Sequence, residues 1–422
     1  MNAECLGLVC RDCGKGLPES EGALTCPDCG APLRVTFSEA SLREALGGAL
    51  PAPNGASFLR QWRAVLPIGD ESLIDRVSLG EAETPLLPSH RYGPRRGVPR
   101  LYFKMEQGPT LSLKDRGTAL CVLKALESGR RTVCLSSSGN NAASVSAYAS
   151  RAGLEAVVFV QKHVSPAKIF KSLIYGGRVV RVDGDMAAAS RLCSEMVTRR
   201  GWFQCGGPQP LPHRGQAHLR LRHRAAARAR PGHRAHPLRG RGRAGRRLRR
   251  LPRTGRRRDH RAPPPARGGA ACGLRSRAFR EGRDTVTPVD KKPSLSDAIM
   301  NNNPYWGRYC LEAVRASGGT MISVSDADFL RTIRELGREE GLFTEPAGCV
   351  SVAALRHLVE MPGFEDPGLT VCNLTGHGLN VPHVAADENE IPGLVVPAVE
   401  AVEAFLRGAG ACASATSTTS RR

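Results

Sequence analysis

Four cysteines near the N-terminus have the spacing of a metal site. Cys10, Cys13, Cys26 and Cys29 form two CxxC pairs separated by twelve residues. Each pair is typical of a tight turn that brings two thiolates together, and two such turns complete a tetrahedral sulfur site for zinc. Because all four ligand positions are then filled, the zinc is structural and leaves no open position for catalysis. The alternative is a group of four buried thiols without a metal.

A lysine and a polar turn are the candidates for catalysis. Lys114 lies in SLKDRG, at the start of a predicted helix. The turn SSSGNNAAS, residues 136–144, follows a predicted strand and opens a helix, so that its amide N–H groups can cradle a carboxylate or a phosphate. Taken singly, such a lysine is usually a solvated surface charge and such a turn an ordinary capped turn. The motifs around them along the chain are therefore needed to indicate a functional role.

Short apolar runs alternate with helix-like segments around these residues. The runs are PRLYFKME, TVCLSS, EAVVFVQ and RVVRVDG. The alternation predicts an α/β fold whose parallel strands are covered by helices on both faces. It stops near Gly207 and resumes after Ala278, with helices predicted around 326–341 and 347–360 and a buried strand in LTVCNLTGHG. In such sheets, function concentrates at the turns that follow the carboxyl ends of strands.

The positive charge is confined to one segment. The chain carries +22, and residues 207–277 hold 22 Arg, no Lys, one Asp and no Glu, so the rest of the chain is close to neutral. The segment contains no Val, Ile, Met, Phe, Tyr, Trp or Asn, and therefore cannot offset the entropy of ordering by packing. A nucleic-acid-binding protein is the alternative from another class, with arginines that neutralise phosphates. Against it, the segment offers no aromatic residue to stack on bases.

Five motifs in order resemble the threonine synthase branch of the fold type II pyridoxal-phosphate enzymes. They are VSLGEAETPLLP, TLSLKDRG, LSSSGNNAASVSAYASRAG, EPAGCVSVAAL and NLTGHGL. The resemblance covers about residues 5–206 and 278–382, and a four-cysteine ribbon also precedes some members of that branch. It implies an α/β fold with two open parallel-sheet domains, preceded by a small zinc ribbon.

The expected organisation has five parts. They are a zinc ribbon at 1–37, the first part of the core with its small domain at 38–206, a disordered Arg-rich segment at 207–277, the C-terminal part of the large domain at 278–405, and a disordered tail at 406–422.

The resemblance also implies roles for individual residues. Lys114 would form the Schiff base with pyridoxal phosphate and then move protons, work for which a desolvated amine with a lowered pKa is suited. Asn140 would hydrogen-bond the ring hydroxyl. Thr375 would meet the pyridine nitrogen, and a neutral hydroxyl there keeps that nitrogen unprotonated. The substrate carboxylate would be held by three polar side chains, Ser137, Ser138 and Asn141.

The implied reaction is the conversion of O-phospho-L-homoserine and water to L-threonine and phosphate, by a carbon–oxygen lyase acting on phosphate. Either Lys171 or Arg116 could supply a cation near the leaving phosphate, although both could also be surface charges. Closer alternatives within the superfamily are a threonine dehydratase and a cysteate-synthase-like enzyme that acts on phosphoserine. The ribbon and VSLGEAETPL favour threonine synthase or its cysteate-forming relative over the dehydratase.

The expected location, partners and oligomeric state follow from the composition and from the resemblance. No early stretch has the basic start and apolar core of a signal peptide, and no apolar run reaches about 18 residues, so we expect a cytoplasmic protein without a membrane segment. The expected partner is a small amino-acid substrate, with no nucleic acid. The resemblance suggests a homodimer.

The Arg-rich segment stands where the family has a strand and a glycine-rich loop for the cofactor phosphate. GC-rich DNA that is read out of frame encodes mainly Arg, Ala, Gly, Pro and His. Reading the codons of 209–217 one base later permits NPYRTEGK, and the same shift over 237–252 permits four consecutive glycines followed by LAGVYDGFR. We therefore expect residues 207–277 to be a frame-shifted translation, and a chain of this sequence to be impaired because the phosphate loop is missing.

Overall fold

The computed structural model describes the chain in several stretches. They are residues 3–18, 23–47, 51, 55–212, 270–288, 294–296, 299, 304, 306–366, 368–386 and 397–406. Most of the predicted Arg-rich segment, residues 213–269, lies outside the described residues, as do residues 407–422 of the predicted tail. None of the helices in the described stretches combines the length and apolar composition that crossing a membrane requires.

The strands, in chain order, are β1 (Cys5–Cys10), β2 (Gly16–Leu17), β3 (Leu33–Phe37), β4 (Leu86–Pro88), β5 (Leu101–Met105), β6 (Thr132–Ser136), β7 (Glu155–Gln161), β8 (Arg178–Val182), β9 (Phe203–Gln204) and β10 (Thr370–Leu374). The α-helices are α1 (Glu39–Leu46), α2 (Phe58–Trp62), α3 (Ile74–Val77), α4 (Lys114–Glu127), α5 (Asn140–Ala152), α6 (Pro166–Ile174), α7 (Met186–Arg200), α8 (Ala270–Arg280), α9 (Gly307–Ala316), α10 (Asp326–Glu340), α11 (Val350–Val359), α12 (Pro382–Ala386) and α13 (Val399–Leu406).

A four-stranded parallel sheet in the order β8-β7-β6-β9 forms the small domain. Residues 156–160 of the inner strand β7 are an unbroken apolar run, and successive side chains point to opposite faces. Val158 and Val160 pack in one cluster with α4 and α5, whereas Val157 and Phe159 pack against α7 on the other face. Helices therefore cover both faces, which confirms the prediction for this domain.

A second sheet has the order β10-β5-β4. β10 runs parallel to β5, with Thr370 opposite Leu101, whereas β4 runs antiparallel to β5. The predicted parallel pairing is confirmed for β10 and β5, and β4 adds one antiparallel strand, so this sheet is mixed in the described part. The reason is local, because the connection 89–100 contains no α-helix that could carry the chain back for a parallel pairing. α10 and α11 pack on this sheet through a shared apolar cluster.

The N-terminal residues form a separate three-stranded antiparallel sheet in the order β2-β1-β3. Its small core includes Leu8 and Leu33 together with two of the four paired cysteines, Cys10 and Cys26. β3 ends at Phe37, the last residue of the predicted ribbon.

The two ends of the predicted Arg-rich segment differ from the predicted disorder. Gln209 and Leu211 are buried, and a Cβ at Gly117 of α4 would lie 2.9 Å from the Cα of Pro212. At the other end, residues 270–277 belong to α8, which contacts α9. Leu211 is buried at the first end and Ser276 at the second, so tertiary packing orders both short ends.

The chain divides into two compact units, Met1–Asn380 and Val381–Arg422. The first contains the N-terminal sheet and both core sheets. The second contains α12 and α13, so the boundary lies inside the predicted 278–405 part.

Candidate active site

Lys114 and Thr375 lie on adjacent segments beyond the carboxyl ends of β5 and β10. Lys114 is the first residue of α4, and Thr375 directly follows β10. The backbone N–H of Leu113 donates to the carbonyl of Thr375 (2.9 Å), and the hydroxyl of Thr375 donates to the carbonyl of Ala347 (3.4 Å). Because β5 and β10 are parallel neighbours, the segments that follow them leave the sheet at the same edge. Two predicted site residues that are distant in sequence are thus brought together.

Asn140, the first residue of α5, contacts the carboxylate of Glu345. Its Nδ2 donates to Oε1 and Oε2 of Glu345 at 2.8 and 3.1 Å. Burial raises the pKa of this carboxyl, and hydrogen bonds from Asn140 and Asn380, together with the charges of Lys171 and Lys114, oppose the rise. Glu345 lies in the motif EPAGCVSVAAL, but sequence reasoning missed it as a site residue. The available signal was a lone acidic residue within an otherwise mostly apolar motif.

The amine of Lys114 has the environment that its predicted role requires. Burial lowers its pKa from the ordinary value, and the negative charge of Glu345 partly offsets this effect. A lowered pKa increases the fraction of neutral amine, which is the nucleophilic form. The side chain is half-buried, so the alternative of a solvated surface charge does not describe it.

Asp115 anchors the loop that leads to Lys114. Its buried carboxylate accepts hydrogen bonds from the backbone N–H of Thr110 (2.8 Å), from the Thr110 hydroxyl and from the Ser144 hydroxyl (2.8 Å). Burial raises the pKa of Asp115, and these hydrogen bonds oppose the rise. Because Ser144 lies on α5, Asp115 ties the loop before Lys114 to the helix that begins with Asn140.

The same loop contains a strained residue. Leu111 has φ 67° and is the one non-glycine residue with positive φ in the described stretches. Its carbonyl accepts hydrogen bonds from the backbone N–H of His377 and from the side chain of Asn380, both at 3.0 Å. A left-handed conformation costs a leucine about 1–2 kcal/mol. These two donors therefore hold a turn that Leu111 disfavours, three residues before Lys114.

The structure distinguishes the two cations that were predicted near a leaving phosphate. The Nζ of Lys171 donates to the carbonyl of Thr110 (3.2 Å) and to Oδ1 of Asn380, and burial lowers the pKa of Lys171. Arg116 instead forms a buried ion pair with Glu106. Neither residue is a solvated surface charge, and Lys171 is the one that lies with the other site residues.

The three residues predicted to hold a substrate carboxylate lie around the start of α5. The backbone N–H of Ser137 donates to the carbonyl of Phe159 (3.2 Å), and its hydroxyl accepts from the N–H of Gly139 (3.4 Å). Ser138 and Asn141 are half-buried. The turn thus presents polar groups next to Asn140, and their contact with a substrate stays a prediction.

The four paired cysteines come together at one point of the N-terminal sheet. Their Sγ atoms all lie within 4.8 Å of one another, with Cys10–Cys29 at 3.5 Å, Cys13–Cys26 at 3.6 Å and Cys13–Cys29 at 3.7 Å. Four sulfurs around a zinc ion at about 2.3 Å lie about 3.8 Å apart, so the cluster fits such an ion. Burial acts to raise the pKa of Cys10, but the hydrogen bonds to the N–H groups of Cys13 and Asp12 and to the Cys13 and Cys29 thiols together lower it to about 6.

Comparisons with known proteins identify the family of this chain. The profile of the family "Pyridoxal-phosphate dependent enzyme" matches residues 77–207 and 268–376, more than half of the chain. A threonine synthase of Methanosarcina acetivorans is 28% identical over 409 residues, which cover 95% of this chain and 98% of that protein. A threonine synthase of Synechocystis sp. is 30% identical over 350 residues, which cover 82% of this chain and 89% of that protein.

Solved structures share the fold at lower identity. Maize serine racemase is 13% identical with a TM-score of 0.56, covering 79% of this chain and 97% of that one. An O-ureido-L-serine synthase is 18% identical with a TM-score of 0.52, covering 80% and 99%. At these identities the likeness supports the α/β fold alone. The family profile covers more than half of the chain and the curated relatives are threonine synthases over most of its length, and the chain therefore belongs to the pyridoxal-phosphate-dependent enzyme family, as a threonine-synthase-like lyase.

Proposed function

We propose that the reaction of this enzyme is the conversion of O-phospho-L-homoserine and water to L-threonine and phosphate. The observation that carries the proposal is the buried carboxylate of Glu345, which accepts a hydrogen bond from Asn140 and interacts with the charges of Lys114 and Lys171. Pyridoxal phosphate, when bound, supplies a ring that withdraws electrons and so favours proton removal beside it. The described residues fit its ring, because the candidate site contains the Lys114 amine, the Asn140 side-chain amide and the Thr375 hydroxyl.

Each side chain then has a distinct task. The neutral amine of Lys114 is suited to take the proton from the α-carbon and to carry protons between neighbouring carbons. Lys171 offers a positive charge to the leaving phosphate. Asn140 would hydrogen-bond the ring oxygen of the bound cofactor, and Thr375 would present a neutral hydroxyl to the ring nitrogen. The substrate carboxylate is assigned to the three polar residues of the α5 turn, Ser137, Ser138 and Asn141.

A substrate panel tests this proposal. We expect phosphate release with formation of L-threonine from O-phospho-L-homoserine, and a rate at least about 100-fold lower for Lys114→Ala. Faster turnover of O-phospho-L-serine would instead indicate a cysteate-synthase-like enzyme, and ammonia release from L-threonine would indicate a dehydratase. Lys171→Met should raise KM for phosphorylated substrates, because it removes the cation assigned to their phosphate.

We also propose that residues 207–277 are a frame-shifted stretch in place of the cofactor-phosphate loop. Support comes from the family profile, which matches up to residue 207 and again from 268, and so leaves residues 208–267 of this stretch unmatched. Sequencing the gene across this interval tests the idea. We expect either an intact family frame, which would mean that the shift is a sequencing error, or two compensating insertions or deletions relative to intact relatives. An undisturbed frame with codons incompatible with NPYRTEGK would overturn it.

A structural zinc ion bound by Cys10, Cys13, Cys26 and Cys29 is the third part of the proposal. The sulfur–sulfur distances support it. Elemental analysis of the purified chain should find one zinc per chain, and Cys26→Ser should lower this content, because a ligand is lost. Full zinc content in Cys26→Ser would contradict the assignment. Cys310→Ser, which changes a cysteine outside the cluster, is the matched control.

A further inference from the structure

We infer that Glu345 is a positioning residue for the cofactor, because its carboxylate orients the Asn140 amide and lies in the same group as Lys114. The inference rests on the proposed cofactor site. Glu345 would act on the cofactor through Asn140 and Lys114 and would not contact it directly.

The orientation of Asn140 follows from donor and acceptor chemistry. A side-chain amide has an NH₂ end that donates and a carbonyl end that accepts, whereas a carboxylate only accepts. The contacts of 2.8 and 3.1 Å from Nδ2 to the two oxygens of Glu345 therefore require the NH₂ end to face Glu345. An ionised ring oxygen of pyridoxal phosphate is also an acceptor. Because Nδ2 carries two hydrogens, one can stay on Glu345 while the other serves the ring oxygen.

Glu345 is itself held independently of Asn140. Its backbone N–H donates to the carbonyl of Gly376 (3.1 Å), and a Cβ at Gly376 would collide with its carboxylate. The side chain is 5% exposed. Asn140 is the first residue of a helix whose N-cap, Gly139, has no side chain to fix the turn. The rigid partner in the contact is therefore Glu345, and the oriented partner is Asn140.

The charge of Glu345 acts on two amines. The charge of Glu345 interacts with those of Lys114 and Lys171, and Lys171 also interacts with Asp115 and with His377. The negative charge of Glu345 raises the pKa of Lys114 against the effect of burial. Replacing the carboxylate by a neutral amide of the same shape should therefore lower the pKa of Lys114.

The first test measures this basicity without cofactor or substrate. Lys114 of the full chain is labelled by acetic anhydride over a range of pH, and the labelled peptide is quantified by mass spectrometry. Glu345→Gln should move the midpoint of Lys114 labelling to lower pH. Glu39→Gln, at a carboxylate whose side chain is 84% exposed, is the control and should leave the midpoint in place. An unchanged midpoint in Glu345→Gln would overturn the electrostatic part of the inference.

The second test measures whether Glu345 acts through Asn140. The dissociation constant for pyridoxal 5′-phosphate is measured for Glu345→Gln, Asn140→Ala and the double variant. We expect Glu345→Gln to weaken binding about tenfold by itself and less than about twofold in the Asn140→Ala background. Equal weakening in both backgrounds would mean that Glu345 does not orient Asn140.

A folding check and a second variant serve as controls for both tests. Urea unfolding of each variant checks that it folds, and Glu345→Asp provides a second variant that keeps the charge but shortens the reach. Glu345→Asp should weaken cofactor binding while moving the Lys114 midpoint less than Glu345→Gln does. Because neither test uses phosphohomoserine, both results stand even if the proposed substrate is wrong.

Discussion

At the scale of single residues, Lys114 shows how burial sets reactivity. Its side chain is half-buried, and burial lowers its pKa while Glu345 limits the change. An ammonium in this place is less stable than in water, so the folded state favours the neutral amine. The same environment that makes the amine reactive must therefore cost folding stability near neutral pH.

This cost should appear as a pH dependence of Lys114→Met. Because the pKa is lowered in the folded state, the unfolded chain binds more protons between the lowered pKa and about 10.4, and the free energy of unfolding rises with pH in that window. Lys114→Met removes the buried ammonium, so it should be more stable than the parent at about pH 7, with the difference shrinking toward about pH 10. Urea unfolding at several pH values measures this.

Lys162→Met is the matched control, because Lys162 is about half exposed and pairs with Asp183. It should show no such pH-dependent gain. A stability difference for Lys114→Met that is the same at every pH would contradict the interpretation.

Asp115 is the second residue whose burial can be tested. Asp115→Asn replaces an acceptor of three hydrogen bonds by a group that is partly a donor, so we expect a loss of about 1–3 kcal/mol in the free energy of unfolding. Urea unfolding measures it. Asp366→Asn, at an exposed carboxylate that accepts one backbone N–H (3.0 Å), should change stability less. Equal effects of the two substitutions would show that Asp115 is not a structural anchor.

At the scale of elements, the N-terminal sheet contacts a helix of the core. Asp12, between the first two paired cysteines, accepts hydrogen bonds from Arg308 (3.2 and 3.3 Å) and from the Tyr309 hydroxyl (2.8 Å) at the start of α9. The guanidinium of Arg11 lies 4.8 Å from the centroid of the Tyr309 ring. The turn that carries two proposed zinc ligands is therefore also a docking surface.

A double-mutant cycle tests this docking. Asp12→Ala and Arg308→Ala should couple by about 0.5–1 kcal/mol in the free energy of unfolding, a modest value because both side chains are partly exposed. The pair Asp12→Ala and Arg315→Ala is the control, since Arg315 lies on the same helix but pairs with Asp284 (2.7 Å). If the first pair is as additive as the control, Asp12 does not secure the contact.

At the scale of the whole molecule, nearly all of the net positive charge comes from residues 207–277 and not from the rest of the enzyme. Outside 207–277 the chain is close to neutral, and its motifs and fold are those of the family. An electrostatic reading of the total charge alone would favour nucleic acid as a partner. A salt-titrated nucleic-acid-binding assay with residues 213–269 deleted distinguishes an enzyme from a nucleic-acid-binding protein. If the chain is a nucleic-acid-binding protein, its affinity for nucleic acid must collapse on deletion.

Restoring the frame of 207–277 provides the prediction at this scale. The restored chain should bind pyridoxal phosphate at least about tenfold more tightly than a chain of this sequence, because a glycine-rich loop supplies N–H donors to the cofactor phosphate. Absorbance titration of the lysine-bound cofactor measures the difference. A normal absorbance band in the protein with this sequence would contradict the prediction. Sedimentation of the restored chain would at the same time test the expected homodimer.

The amino-acid sequence by itself determined the features that depend on short stretches of chain. Apolar runs predicted the strands β5, β6, β7 and β10, CxxC spacing singled out four cysteines, and SLKDRG singled out Lys114. Such signals are readable because the side-chain period of a strand or helix and the reach of a metal turn span only a few residues.

Only the tertiary structure decided which distant groups meet. It paired Asn140 with Glu345, placed Lys171 in the site and gave Arg116 to Glu106, and it turned β4 antiparallel to β5. None of these pairings leaves a local pattern in the chain, because each joins segments that approach one another only after the two sheets have formed. The burial that tunes Lys114 arises in the same way, from the packing of groups that are remote in sequence.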